Sequence, residues 1–157
     1  MQAVATEAET VWFTTTRARI LVRESTYSLI EEEARQGDMP PLHVHHGHDE
    51  VFYVMSGHVS IHLPGSRIGL GSGQAAFAPR GVPHTYRVES EEGARWLVAT
   101  TSGGFADFVA EVAVPAKDDG YAPAEVIPAR QDLAAAAARA GIDLLGPPGT
   151  FPNSNHF

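Results

Sequence analysis

The chain has 157 residues, 43% of them hydrophobic, which is enough to close one sizeable core, so one domain with short extensions is expected. Nineteen acidic residues against eleven basic ones give a formal net charge of -8, leaving no basic face for nucleic acid or for an anionic membrane surface. With no cysteine there is neither a disulfide framework nor a thiolate ligand, so any metal has to be held by carboxylate and by the eight histidines.

The opening residues, MQAVATEAETVWF, lack a basic region followed by a long apolar run, and no segment reaches the length of a bilayer span. A soluble, cytoplasmic protein is expected. From Thr10 to about Thr101 short β-rich runs alternate with Gly, Pro, Ser and acidic clusters, the spacing of an all-β sandwich or barrel. ARILVRE (18–24) and TYSLIEEEA (26–34) read as strands, and the two prolines of QGDMPP rule out a helix after them. LHVHH (42–46), EVFYVM (50–55) and HVSIHL (58–63) follow, the last with Val59, Ile61 and Leu63 on one face and His58, Ser60 and His62 on the other. IGL, QAAFAP, HTYRV (84–88) and RWLVAT come next, separated by the turns GSG, RGVP and ESEEGA. So many antiparallel connections favour a jelly-roll barrel that hides its edges.

Past Gly103 the period changes. GFADFVAEVA carries apolar residues at helical spacing and predicts a short helix closing one end of the barrel. After a polar, Pro-bearing connection, ARQDLAAAAARAG predicts a second helix stopping at Gly141 and packed on the barrel's outside, and GPPGTFPNSNHF reads as an irregular tail. The expected organisation is an N-terminal extension (1–9), the barrel (10–114), and a C-terminal linker, helix and tail (115–157).

His43 and His45 stand two apart on a predicted strand, so both side chains leave the same face with Cα atoms roughly 6 to 7 Å apart, suited to grip one ion. Glu50 opens the next strand on the face of Phe52 and Val54, and a bound cation is the simplest thing that would stabilise a carboxylate among such neighbours. His84 follows the rigid turn RGVP and offers a third imidazole. Phe52, Val54, Phe77 and Tyr86 are core candidates that would also line a substrate cavity. His46 and His48 read as exposed loop residues, His58 and His62 as outer-face residues, and Glu31 to Glu33 as a solvated strand end; none of these, nor His156, is assigned chemistry.

These residues resemble the motifs of the cupin superfamily, whose fold is a double-stranded β-helix. GDMPPLHVHHGHDEVFYVMSG, Gly37 to Gly57, matches G(x)5HxH(x)4E(x)6G at every position. GQAAFAPRGVPHTYRV, from Gly73, matches G(x)5PxG(x)2H(x)3N except that Val88 replaces the asparagine, and 15 residues separate the motifs. PPLHVHHGHDEVFYV, FAPRGVPHTYRV, GFADF and AGIDLLGPP further resemble the single-barrel, quercetin-dioxygenase-like bacterial cupins. The resemblance implies one divalent transition metal (Fe, Mn, Co or Ni) on His43, His45, Glu50 and His84. It also implies a Glu50 that is both ligand and base, and cleavage by O2 of a flavonol or other enolisable small molecule. A homodimer through Val11 to Ile30 is a further implication. Two other readings stay open: a metal-dependent isomerase, cyclase or decarboxylase that uses no oxygen, and a barrel that only binds a small molecule.

Overall fold

The computed structural model of the chain describes residues 8–116 and 128–153. Twelve strands and two helices follow one another among these residues. The strands are β1 (Thr10–Phe13), β2 (Thr16–Glu24), β3 (Tyr27–Ala34), β4 (Leu42–His45), β5 (Glu50–Ser56), β6 (Val59–Leu63), β7 (Ser66–Leu70), β8 (Ala75–Ala78), β9 (Thr85–Val88), β10 (Ala94–Thr100), β11 (Val114–Pro115) and β12 (Ile142–Gly146). Helix α1 (Gly104–Val112) precedes β11, and α2 (Arg130–Arg139) precedes β12.

One wall is a seven-stranded sheet in the order β11-β1-β2-β3-β10-β5-β8. The facing wall joins two smaller ladders, β12-β4 and β7-β6-β9, through a bridge between His43 and His84. The period-2 alternation read from the sequence fills the space between the walls: Ile30, Val54, Ile61, Val88, Trp96 and Val98 are all at most 1% exposed. This is the all-β, jelly-roll barrel with short C-terminal helices that the run spacing predicts.

Motif glycines hold the turns. Gly57 sits at φ +77° where β5 gives way to β6, and a Cβ there would run into the Gly93 carbonyl and Ser90 Oγ. Both the left-handed backbone and the close approach exclude a side chain. Gly57→Ala is therefore expected to destabilise the protein by about 2 kcal/mol or more. A urea titration of the variant against wild type measures this.

Two expectations for the C-terminal part need correction. The stretch IDLL, which the sequence reading assigned to no element, together with Gly146 from the start of the expected tail, forms β12 and pairs with β4, setting Ile142 against His45 and Leu144 against His43. Helix α2 does not simply lie on the barrel's outside: it packs against α1 and β12, and its Leu133 lines the central cavity. Leu133, Ala136 and Ala137 are its buried face, and Arg139 pairs with Glu111 of α1. The alanines give the helix its propensity, while their small size lets it lie close over the barrel's open end. His156 and the connection at 117–127 lie outside the described residues. No helix among the described residues is long and apolar enough to cross a membrane.

Candidate metal centre

The two motif loops bring His43, His45, Glu50 and His84 together at one end of the barrel, with one ligand atom from each lying within 4.8 Å of the others. Ligands around a single ion bonded at about 2.1 Å are separated by at most about 4.2 Å, so a small contraction would close the ring. The backbone sets this up. His43 and His84 face each other across antiparallel chains and exchange both hydrogen bonds, His43 N to His84 O at 3.1 Å and His84 N to His43 O at 2.9 Å. Glu50 enters from the opposite wall, between Thr100 of β10 and Ala78 of β8.

Hydrogen bonds orient two of the three rings. His43 Nδ1–H donates to the Pro41 carbonyl at 2.7 Å and His84 Nδ1–H to the Val82 carbonyl at 2.9 Å, leaving Nε2 of each directed to the cluster. His84 Nε2 lies 2.8 Å from Glu50 Oε2. His45 Nε2 is 3.2 Å from the same oxygen but outside hydrogen-bond geometry, and both its ring nitrogens are buried without a partner. Such an orphaned imidazole, 1% exposed, is what an ion bound at Nε2 would satisfy, so these residues fit a divalent metal.

At His43 and Glu50 the charge states suit the same purpose, while at His84 an ion would have to displace a proton. Burial, with His84 and His45 adding to it, holds the His43 pKa well below the usual imidazole value, so the ring is neutral. Burial opposes the charge on Glu50, but the His45 and His84 imidazoles outweigh it and keep the carboxyl well below its usual range. Burial likewise opposes a charge on His84, yet Glu50 raises its pKa. A neutral imidazole and an ionised carboxylate are the forms that bind metal.

A clamp outside the cluster ties the motifs to each other. Arg80, in the loop before His84, donates from its backbone N and Nε to Asp49 Oδ1 (3.0 and 3.1 Å) and from Nη2 to Oδ2 (2.9 Å). Those hydrogen bonds bring the Asp49 pKa down to about 2.

Beside the cluster lies a partly open cavity of about 60 Å³ with an apolar lining that includes Phe52, Tyr86, Phe105, Phe108, Leu133 and Leu144. Of the four pocket residues expected from sequence, Phe52 and Tyr86 line it. Val54, fully buried, is core and not part of the lining. Phe77 faces away: it is 57% exposed and pairs with Val51 on the outer surface, while its neighbour Ala76 stands inside opposite Phe52. Only a small side chain fits across from that phenyl ring.

Sequence reasoning placed two further residues wrongly. His48 is buried, not exposed; it packs at 4.3 Å against His45 and near Phe105, with Nε2 unpartnered. Burial, then His45, lowers its pKa to about 4. Glu32, read as solvated, is 2% exposed and lines the cavity. Burial, reinforced by Glu50 and Asp38, pushes its pKa up to about 8. The β3 alternation held the signal for Glu32, since Ser28, Ile30, Glu32 and Ala34 share one face; nothing in the loop HHGHD marked His48. His46 is exposed as expected and meets Asp143 Oδ2 at 2.9 Å.

Comparison with known proteins agrees with the geometry. Residues 30–100 match the family Cupin_2, the cupin domain. The chain is 37% identical over 113 residues to quercetin 2,3-dioxygenase of Bacillus subtilis (strain 168), a match over 70% of this chain but only 33% of that enzyme's length. Among solved structures, TT1209 from Thermus thermophilus superposes with a TM-score of 0.53 at 31% identity, covering 56% of this chain and 84% of that one. The polyketide cyclase RemF from Streptomyces resistomycificus gives 0.51 at 25% identity, covering 64% and 78%. An oxalate decarboxylase from Bacillus subtilis gives 0.56 at 20% identity, covering 67% and 32%, a likeness of fold alone. With both motifs, the barrel and these relatives in agreement, the chain belongs to the cupin superfamily.

Proposed function

We propose that the protein is a metal-dependent dioxygenase that binds one divalent transition metal through His43, His45, Glu50 and His84 and cleaves a carbon–carbon bond of a flavonol-like or other enolisable small molecule with O2. The observation that carries the reading is the buried cluster of three imidazoles and one carboxylate at an apolar cavity, in a chain similar to quercetin 2,3-dioxygenase. Fe, Mn, Co and Ni all suit imidazole and carboxylate ligands. When bound, the metal supplies Lewis acidity that makes a substrate hydroxyl easier to deprotonate. The chain's own part is to orient the ligands through the Pro41 and Val82 carbonyls, to exclude water with Phe52, Phe105 and Phe108, and to accept the substrate's proton.

Among the described residues the cavity lining contains no lysine or arginine, which favours a neutral substrate over a carboxylic acid. Its volume of about 60 Å³ is well below the roughly 300 to 1,000 Å³ of pockets for drug-sized ligands. A flavonol therefore enters only if the wall formed by Leu133 of α2 and Leu144 of β12 moves outward, joining the cavity to the adjacent apolar groove of about 210 Å³ between those residues and Pro147. Metal-loaded protein is expected to consume O2 with a flavonol or 1,3-dicarbonyl compound in an oxygen-electrode assay. No uptake across the panel would count against the dioxygenase reading.

The likeness to a polyketide cyclase favours a second reading, in which the same metal site works without oxygen. Turnover under strict anaerobiosis would select it. We further propose a cytoplasmic homodimer joined through Val11 to Ile30, which light scattering of the purified protein tests.

A further inference from the structure

Two carboxyls open onto the cavity, Glu50 and Glu32, and they differ in what already holds them. Glu50 Oε2 is 2.8 Å from His84 and 3.2 Å from His45, so it is engaged by the ligand cluster. Glu32 stands on β3 between Ala18 of β2 and Trp96 of β10. Its neighbours Glu31 and Glu33 reach outward to Arg19, Arg95 and Arg17, but no cation pairs with Glu32 among the described residues. The donor acting on its carboxyl is the Trp96 indole N–H, which sits outside hydrogen-bond geometry. A buried carboxyl without a counter-charge is costly to the fold, and this one faces the space where a substrate would sit.

Resting on the function proposed above, we infer that Glu32 is the proton acceptor of the cavity. The O–H bond of an enolisable substrate breaks, the proton passes to a Glu32 carboxylate oxygen, and the substrate remains as its enolate. The groups facing Glu32 are the Glu50 and Asp38 carboxyls, the Tyr86 hydroxyl and the Trp96 ring. Burial and the two carboxyls raise its pKa to about 8. The substrate class that matches is a neutral enol or hydroxyketone, able to give up one proton.

The test uses 3-hydroxyflavone as a probe whose absorption reports its enolate, mixed anaerobically with metal-loaded wild type, Glu32→Gln and Glu32→Asp. Thermal melts and elemental analysis establish that each variant is folded and keeps its metal. Wild type should form the enolate at neutral pH. Glu32→Gln should bind the probe, seen by quenching of protein fluorescence, but form the enolate on the order of 10² to 10⁴-fold more slowly. Glu32→Asp should recover part of the rate. Equal rates in wild type and Glu32→Gln would overturn the assignment while leaving the function intact. No binding of the probe by metal-loaded wild type would overturn the reading of the site, and the assignment with it.

Discussion

Replacing Glu32 with Gln is expected to stabilise the metal-free protein at pH 8 and to leave its stability almost unchanged at pH 4. The Glu32 carboxyl is 2% exposed, and its pKa rises from 4.5 to about 8 on folding. Between those values the unfolded chain has released the proton and the folded chain still holds it. The folded state therefore binds more protons, and stability falls as pH rises through that window. Each pH unit of the window corresponds to about 1.4 kcal/mol, so the loss approaches an upper limit of roughly 5 kcal/mol above pH 8. Gln fills the same space without a charge to bury, and the variant escapes this loss. Other titrating groups shared by the two proteins largely cancel in the difference. Urea titrations at a series of pH values with chelator present measure it. A wild-type-to-variant difference that does not grow with pH would show that Glu32 is not held neutral by burial.

Loading with a divalent metal is expected to raise the melting temperature by about 8 to 16 °C. An ion present at about 1,000 times its dissociation constant adds about 4 kcal/mol. Each kcal/mol is worth about 2 to 4 °C in a chain of this size. The orphaned Nε2 of His45 would gain a partner in the bound state, so His45→Ala should lose most of the shift. Scanning calorimetry with Mn, Fe, Co and Ni in turn, against chelator, gives both the size of the effect and the preferred ion. A melting temperature indifferent to all four would argue that the cluster is a packed set of histidines and not a site.

The candidate cluster was legible because strand periodicity and motif spacing bring its four residues together. His43 and His45 share a face by alternation, and a proline-bearing turn starts the strand just after His84. The barrel was legible for the same reason, since Val59 and Ile61 or Phe52 and Val54 declare an inward face without help from distant residues. What failed depended on contacts far along the chain. IDLLG became a strand because β4 had an open edge beside His43 and His45, a fact absent from IDLLG itself. Phe77 falls on the outer face because it alternates with Ala76, which pairs with Phe52 on the inner face, and hydrophobicity alone cannot tell the two faces of β8 apart. His48 was buried by Phe105 of α1, more than fifty residues away in sequence. Glu32 is the instructive case. Its charge argued for solvent and its period for the interior, and the period prevailed. A local rule broken in this way marks a residue kept for chemistry more than for stability.

Everything proposed for the site depends on a metal held by His43, His45, Glu50 and His84, and elemental analysis of purified wild type beside His84→Ala tests it most directly. About one divalent ion per chain in wild type, and little or none in the folded variant, is the predicted result. Reconstituted wild type that carries no metal, or a His84→Ala variant that retains a full complement, would contradict it.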